Sequence, residues 1–227
     1  MSIRPPTISH SWNLAPQDAV RLQLKLAPRV IRISSISLKK IKTVAGIDTH
    51  YRDGMAFAAV VVVRIQNLET VDWNTTSKRI NFPYIPGLLS FREGPAVVEA
   101  LAQLSSRPDL LIFDGNGIAH PRRFGIASHI GLLLDRPAIG CAKTRLTGQY
   151  EAPGPVKGMY TYLNDHDEII GAVLRTRSGV KPVYVSIGHR MNLLDSIRII
   201  LQCCRRYRLP EPIRRADQLA RKEAHSW

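Results

Sequence analysis

Three carboxylates, Asp48, Glu93 and Asp114, occupy positions that suit metal-dependent chemistry. Asp48 interrupts the apolar run "VAGIDTHY" and Asp114 closes the run "DLLIFDG". An isolated Asp of this kind is more often a plain strand-end residue, but Glu93 falls in the first turn of a helix predicted between the two strands. Packed carboxylates repel one another unless a cation neutralises them. Hard oxygen ligands without cysteine favour Mg²⁺, and Mn²⁺ can substitute.

Two histidines follow Asp114 in the stretch "FDGNGIAHPRRFGIASHIG". His120 comes six residues later, in a loop rich in glycine and next to the basic pair Arg122-Arg123. A lone histidine is usually structural, yet this position between a predicted metal strand and two arginines favours a functional role. His129 falls on the apolar face of the next helix, so we expect a hydrogen-bonded core residue.

Lys143 and His189 each end a predicted strand. Lys143, in "CAKTRLTG", offers a point charge to a phosphate, although most lysines are merely solvated. His189 follows Gly188 in "VYVSIGHRMNL" and precedes a helix. We expect its imidazole near the sheet edge where the carboxylates gather.

The periodicity of the chain predicts an α/β domain that can position these groups. Three β-rich segments separated by turns predict an antiparallel meander, and strand–helix–strand segments after it predict parallel pairing with a right-handed crossover. The predicted strands are 42–51, 54–66, 70–79, 109–115, 137–143, 168–176 and 181–188. The predicted helices are 15–32, 90–105, 123–135, 191–206 and 212–224, and Ser90 with Glu93 has capping-box spacing. We expect a single domain over residues 1–227.

The net charge points to a polyanionic partner. The chain carries 32 Lys and Arg against 18 Asp and Glu, a formal charge of +14. Residues 198–227 hold eight basic and three acidic residues, whereas residues 81–120 hold two basic and four acidic. Basic surfaces often serve only solubility, but a basic frame around clustered carboxylates is what hydrolysis of a phosphodiester requires.

The segment "NFPYIPGLLSFREGP" holds Tyr84 between two prolines. Each proline fixes its own φ and biases the preceding residue towards extended conformations. The segment therefore predicts a rigid projection that carries an aromatic ring. The alternative is a tyrosine that packs on the helix beginning near Ser90.

Other features indicate an intracellular protein. The N-terminus lacks the apolar core of a signal peptide, and no apolar run approaches the length of a membrane span. Three cysteines with no zinc-site spacing suit packing in a reducing compartment. We expect a cytoplasmic monomer without membrane association.

Several of these stretches together resemble the endonuclease V family, which nicks nucleic acid near inosine, the product of adenine deamination. They are "GIDTHY", "PYIPGLLSFREGP", "DLLIFDGNGIAHPRRFGIASHIGLLLDRPAIGCAKTRLTG" and "PVYVSIGHRMNLLDSIRIIL", and the likeness runs from about Trp12 to Leu201. The resemblance implies a ribonuclease H-like mixed sheet flanked by helices, which agrees with the meander and parallel strands predicted above.

The resemblance also implies residue roles. Asp48 and Asp114 would bind Mg²⁺ with help from Glu93 through water, Lys143 would meet the phosphate, and His120 and His189 would flank the reaction. Tyr84 would act as a wedge at the displaced base. The pocket for the inosine base would involve Gly87, Leu89, Gly115 and Ile126. The implied reaction is hydrolysis of the second phosphodiester bond 3′ to inosine, leaving a 3′-hydroxyl and a 5′-phosphate.

Two alternatives remain open at this point. Another ribonuclease H-like nuclease selective for structure would keep the carboxylates without needing a base pocket. A nucleic-acid-binding relative without activity would keep the charge alone. The sequence does not choose between DNA and RNA as the inosine-containing partner, since contact with a 2′-hydroxyl cannot be read from these residues.

Overall fold

The first three strands form the antiparallel meander that the sequence predicts. The structure is a computed structural model that describes residues 8–227; residues 1–7, which belong to the stretch argued to lack a signal peptide, lie outside the described part. The meander comprises β1 (Thr43–Arg52), β2 (Met55–Arg64) and β3 (Thr70–Arg79). Asp53 and Gly54 join β1 to β2 with φ angles of 48° and 74°. Positive φ at both positions is the type I′ geometry that an Asp-Gly hairpin favours.

Five further strands complete one mixed sheet of eight in the order β3-β2-β1-β4-β5-β8-β7-β6. They are β4 (Leu110–Phe113), β5 (Ala138–Ala142), β6 (Tyr160–Asp165), β7 (Glu168–Leu174) and β8 (Val183–His189). Strands β4 and β5 are parallel, as predicted. The structure adds that β4 also pairs parallel with β1 and that β8 runs antiparallel to β5. Strand β6 was not predicted, because as an edge strand it buries only Leu163 and therefore shows no apolar run.

Helices cover both faces of the sheet. They are α1 (Pro16–Leu26), α2 (Leu89–Ala102), α3 (Ile126–Leu133), α4 (Leu193–Cys203) and α5 (Glu211–Ser226), with short 3₁₀ turns at Ala27–Arg29 and Leu38–Lys40. Apolar residues of α2 and α3 share one core with β1, β2 and β4, and those of α4 and α5 share another on the opposite face. Because both faces are covered, β2 is almost wholly buried along its length.

The start of α2 differs from the prediction. The helix begins at Leu89 and no side chain caps its N-terminus, so the predicted capping box is wrong. Ser90 lies inside the helix, where its hydroxyl bonds to Nδ1 of His129 at 2.9 Å. Glu93 consequently falls in the second turn of α2, on its buried side.

Helix α5 lies directly against the central strand β1. Ile213, Ala216 and Ala220 are buried there, and a Cβ placed on Gly46 of β1 would lie 2.1 Å from the carbonyl carbon of Pro212. Only glycine allows this close approach. Removing residues 210–227 would therefore expose the core, and the role of their charges has to be tested by point substitutions.

Several arginines of the basic C-terminal segment are held in ion pairs within α5. Arg214 and Arg215 both approach Glu211, at 2.8 and 3.6 Å, and Arg221 lies 3.0 Å from Asp217. These pairs reduce the charge that the helix offers to a polyanion. The basic character of a segment in sequence thus overstates its free positive charge.

The three cysteines, Cys141, Cys203 and Cys204, are free and buried, which agrees with packing roles. Within residues 8–227, no helix has both the length and the apolar character needed to cross a bilayer.

Candidate active site

Asp48 and Asp114 occupy equivalent positions where the parallel pairing of β1 and β4 stops. The last paired residues are Ile47 and Phe113, and each Asp comes next along its strand. The backbone N–H of Asp114 donates to the carbonyl of Ile47 at 3.0 Å, which continues the ladder by one step. The sheet therefore brings together two carboxylates that are 66 residues apart in sequence.

Lys143 joins this pair from the next parallel strand, directly after β5. Its ammonium lies 3.8 Å from Oδ2 of Asp48 and forms a closer ion pair with Asp114. Although burial lowers it, the pKa of Lys143 is raised overall by these two carboxylates. Burial, with repulsion from Asp114, raises the pKa of Asp48 to about 8 despite the opposing effect of Lys143. The single ammonium of Lys143 thus does not balance the negative charge that Asp48 and Asp114 carry when both are ionised.

Glu93 approaches the same centre from α2. It is 8% exposed, and the hydroxyl of Tyr51 donates to its Oε1 at 2.5 Å. Burial raises the pKa of Glu93 to about 8, with repulsion from Asp114 adding to the effect, although the bond from Tyr51 lowers it. The guanidinium of Arg92 lies 4.8 Å from the centre of the Tyr51 ring and holds this support in place.

The oxygen donors of this centre fit a hard divalent cation. Among residues 8–227, no three His, Cys, Asp or Glu side chains lie close enough to hold one ion together. Mg²⁺ often uses only one or two protein carboxylates and completes its shell with water and substrate phosphate. Asp48 and Asp114 suit direct ligation in that arrangement, and Glu93, whose Oε1 already accepts the Tyr51 hydroxyl, suits contact through water. Their excess negative charge is what such an ion would neutralise.

A cavity of about 290 Å³ adjoins the carboxylate centre. Its lining includes Asp114 and Lys143 on one side and all four residues predicted for the base pocket, Gly87, Leu89, Gly115 and Ile126. A Cβ on Gly115 would lie 2.8 Å from Cγ2 of Ile126, so glycine keeps this space open. The structure therefore gathers the predicted pocket beside the predicted catalytic centre.

Tyr84 lies at the rim of this cavity and is 70% exposed, which disfavours the alternative of a tyrosine packed on α2. The chain turns immediately after it, where the N–H of Leu88 donates to the carbonyl of Ile85 at 2.9 Å. Pro86 and Gly87 are the central residues of this turn, and Gly87 has a φ of 81°. Proline followed by glycine with positive φ is the type II arrangement, and it fixes the projection of the tyrosine.

His120 also lines the cavity, but both of its ring nitrogens point to backbone groups. Nε2 lies 2.8 Å from the carbonyl oxygen of Gly87, and Nδ1 accepts the backbone N–H of Arg122 at 3.1 Å. Burial, with the positive charges of Arg122 and Arg123, lowers the pKa of His120 to about 4. The imidazole is therefore neutral at pH 7 and carries its proton on Nε2.

The predicted position of His189 near the carboxylates is wrong. Because β8 runs antiparallel to β5, its end pairs with Ala138 at the start of β5, whereas Lys143 follows the end of β5. His189 is 1% exposed, accepts the N–H of Ile31 at 3.2 Å and contacts Asp135 at 3.3 Å. Its two nitrogens hold neighbouring segments together, at the end of β5 opposite to Lys143, so the structure does not support a catalytic role for it.

His129 is a core residue, as predicted. It is fully buried, and its two nitrogens contact Ser90 at 2.9 Å and His10 at 2.7 Å. Burial and the adjacent His10 hold its pKa well below the usual range.

Sequence reasoning missed several residues that line the cavity, among them Gln23, Asn116 and Arg145. Gln23 could have been found, because it lies between Ala19 and Leu26 on the buried side of α1. A polar side chain on an apolar helix face needs a partner. Arg145 is two residues beyond Lys143 and had no signal of its own in a basic chain.

Comparison with known proteins agrees with this arrangement. The family model described as Endonuclease V matches residues 25–218. An endonuclease V from Roseiflexus sp. (strain RS-1) is 52% identical over 209 residues, which cover 92% of this chain and 93% of the relative.

Solved structures agree as well. The crystal structure of endonuclease V from Streptomyces avermitilis is 40% identical with a TM-score of 0.91, and the alignment covers 100% of this chain and 99% of the other. Endonuclease V from Ciona intestinalis, solved with a 24mer DNA containing an inosine followed by a ribo-adenosine, is 28% identical with a TM-score of 0.77, covering 92% and 98% of the two chains. By sequence over most of its length and by fold, this chain belongs to the endonuclease V family and is an endonuclease.

Proposed function

We propose that this protein recognises inosine in nucleic acid and, with Mg²⁺ or Mn²⁺, hydrolyses the second phosphodiester bond on the 3′ side of the inosine. The products are a 3′-hydroxyl and a 5′-phosphate, and the inosine stays in its strand. The relative from Ciona intestinalis was solved with inosine-containing DNA, which supports the choice of lesion.

One observation carries the proposal: a single cavity touches both the predicted base pocket and the charged centre. Gly87, Gly115 and Ile126 line it together with Asp114 and Lys143. An enzyme that acts at a distance from a flipped base needs a pocket for the base and a separate centre for the backbone. Their adjacency supports a cut displaced from the lesion by a short, fixed length of backbone.

The charged residues have distinct tasks at the scissile phosphate. Asp48 and Asp114 would hold the divalent ion, and Glu93 would act through water. When bound, the ion supplies an activated water and neutralises charge on the departing 3′-oxygen. Lys143, whose ammonium already lies among the carboxylates, places a further positive charge beside a non-bridging phosphate oxygen.

The rim and walls of the cavity act on the base. Tyr84 is exposed and held by the Pro86-Gly87 turn, so its ring can stack in the gap that the inosine leaves. The base then enters beside Gly87 and Gly115, where the absence of side chains allows close contact with backbone groups. Neither step depends on the sequence around the lesion.

A matched set of oligonucleotides tests the proposal. Single-stranded RNA, single-stranded DNA and duplex DNA of one sequence each carry a single inosine, with adenine at that position as the control. We expect nicking at the second bond 3′ to inosine in Mg²⁺ and Mn²⁺, none in EDTA and none with adenine. The three backbones also measure the preference for DNA or RNA.

Two other outcomes would support the competing functions. Cutting that follows strand structure and ignores inosine indicates a structure-selective nuclease. Inosine-independent binding with no cutting in either metal indicates a nucleic-acid-binding relative without activity. An Asp114→Asn variant controls for a contaminating nuclease in every arm.

A further inference from the structure

The carbonyl oxygen of Gly87 accepts hydrogen bonds from three different side chains. Nε2 of Gln23 donates at 2.9 Å, Nε2 of His120 at 2.8 Å and Nη2 of Arg122 at 2.9 Å. A carbonyl oxygen has two lone pairs, so three donors on one such atom is an unusual concentration. This atom belongs to the turn that carries Tyr84 and opens the base pocket.

Arg122 is also bonded to each of the other two donor residues. Oε1 of Gln23 accepts Nε–H of Arg122 at 2.6 Å, and Nδ1 of His120 accepts the backbone N–H of Arg122 at 3.1 Å. Nε2 of Gln23 further donates to the carbonyl of Phe124 at 3.0 Å. The network therefore ties α1 and the loop before α3 to the Tyr84 turn, and every polar atom of the Gln23 side chain is used.

The geometry at Gly87 leaves little freedom to this turn. Its φ of 81° is open to glycine but costly for other residues. A Cβ at this position would lie 2.8 Å from Nη2 of Arg122 and 3.2 Å from Nε2 of His120. The donors thus occupy the space that a side chain at position 87 would need, as well as binding the Gly87 carbonyl.

We propose that Gln23, His120 and Arg122 are positioning residues that fix the Gly87 carbonyl and, through it, the separation between Tyr84 and the base pocket. In this way they set the preference for inosine over adenine. They take no part in proton transfer. This inference rests on the proposed function and assigns a task to Gln23 and Arg122. It also replaces the flanking role in the reaction that the sequence suggested for His120.

The assignment for His120 follows from its bonds. Its Nε2–H points at a backbone carbonyl and its Nδ1 is occupied by a backbone N–H, so neither nitrogen is available to a water or a leaving oxygen. A glutamine at this position can present an amide N–H to the same carbonyl, but it cannot exchange a proton near neutral pH. A positioning role therefore predicts that His120→Gln keeps its activity, whereas a role in proton transfer predicts that His120→Gln loses it.

The test compares His120→Ala, His120→Gln and Gln23→Leu with Arg21→Ala. Arg21 is a control on the same helix whose exposed side chain pairs with Asp18. Affinity is measured in Ca²⁺ for a single-stranded DNA oligonucleotide with one inosine and for the same oligonucleotide with adenine. Single-turnover cleavage in Mg²⁺ at saturating enzyme gives the rate, and melting temperature monitors folding.

We expect His120→Ala and Gln23→Leu to lower the ratio of inosine to adenine affinity about tenfold. Affinity for the adenine oligonucleotide should stay within about twofold of wild type. His120→Gln should recover most of the ratio and most of the cleavage rate, and Arg21→Ala should match wild type.

Two results overturn the inference. One is a His120→Gln variant that binds inosine like wild type but cleaves as poorly as His120→Ala, since that pattern needs a titrating imidazole. The other is a ratio unchanged in His120→Ala and Gln23→Leu while wild type prefers inosine. A wild-type protein that does not prefer inosine overturns the proposed function itself. This result comes from the wild-type affinities for the inosine and adenine oligonucleotides alone and does not depend on the variants.

Discussion

Replacing Tyr84 with alanine separates a stacking wedge from a structural aromatic residue. Tyr84 is 70% exposed, so less than a third of its roughly 200 Å² of surface is buried. At about 25 cal/mol per Å², the roughly 60 Å² concerned contributes about 1.5 kcal/mol at most to folding. In a chain of this size that corresponds to a fall in melting temperature of about 3 to 6 °C.

The expected loss of activity is larger and depends on the substrate. Base–aromatic stacking contributes about 1 to 3 kcal/mol per base, which is about 5- to 150-fold in rate or affinity. The loss should be greatest on duplex DNA, because extracting inosine from a duplex breaks more stacking than extracting it from a single strand. Tyr84→Phe keeps the ring and should retain most of both activities.

The assay is single-turnover nicking of matched inosine-containing duplex and single-stranded DNA, with melting temperature measured in parallel. The wedge predicts a ratio of duplex to single-strand rates that falls in Tyr84→Ala and is restored in Tyr84→Phe. Equal losses on both substrates, accompanied by a fall in melting temperature well beyond 6 °C, would refute this reasoning and make Tyr84 a stability residue.

Three further predictions concern the metal centre, the phosphate path and His120. Asp48→Ala and Asp114→Ala should each abolish nicking in Mg²⁺ while inosine affinity in Ca²⁺ stays within a few-fold, and near wild-type cleavage by either would show that the metal assignment is wrong. Arg145→Ala, at the cavity beside Lys143, should lower the slope of log affinity against log salt by about one unit, whereas Arg206→Ala, in a separate basic cavity, should leave it unchanged. Equal slopes for both variants would show that Arg145 does not contact a substrate phosphate. Because the pKa of His120 is lowered to about 4, the unfolded chain binds more protons there below pH 6.5. Wild type should therefore lose about 3 kcal/mol more folding free energy than His120→Gln between pH 6.5 and 4 in denaturant titrations; parallel losses would contradict the buried neutral imidazole.

The parts of the fold that follow from local pattern could be predicted from the sequence. The meander was predicted by alternating β-rich segments and turn residues, and the structure confirms it with Asp53 and Gly54 at the first hairpin. Asp48 and Asp114 could be singled out because one interrupts and the other closes an apolar run, whereas the structure shows that their strands, β1 and β4, are parallel neighbours. Local sequence was sufficient wherever an element and its neighbour were close in the chain.

Strand direction and contacts between distant segments could not be predicted in the same way. His189 was placed at the wrong end of the sheet because nothing in the local sequence of β8 reveals that it runs antiparallel to β5. The three donors on Gly87 come from positions 23, 120 and 122, so their convergence exists only after the chain has folded. The spacing of these residues in the sequence does not predict that their side chains contact the same carbonyl oxygen.

The contact between Gly46 and Pro212 also bears on how the protein is synthesised. These residues are separated by 166 positions in the chain, yet they pack at the centre of β1, the strand that carries Asp48. A ribosome that adds about 5 to 20 residues per second needs about 8 to 30 seconds to make that interval. Throughout it, the face of β1 destined for α5 remains exposed. The strand that bears Asp48 is thus among the first to be made and among the last to be covered.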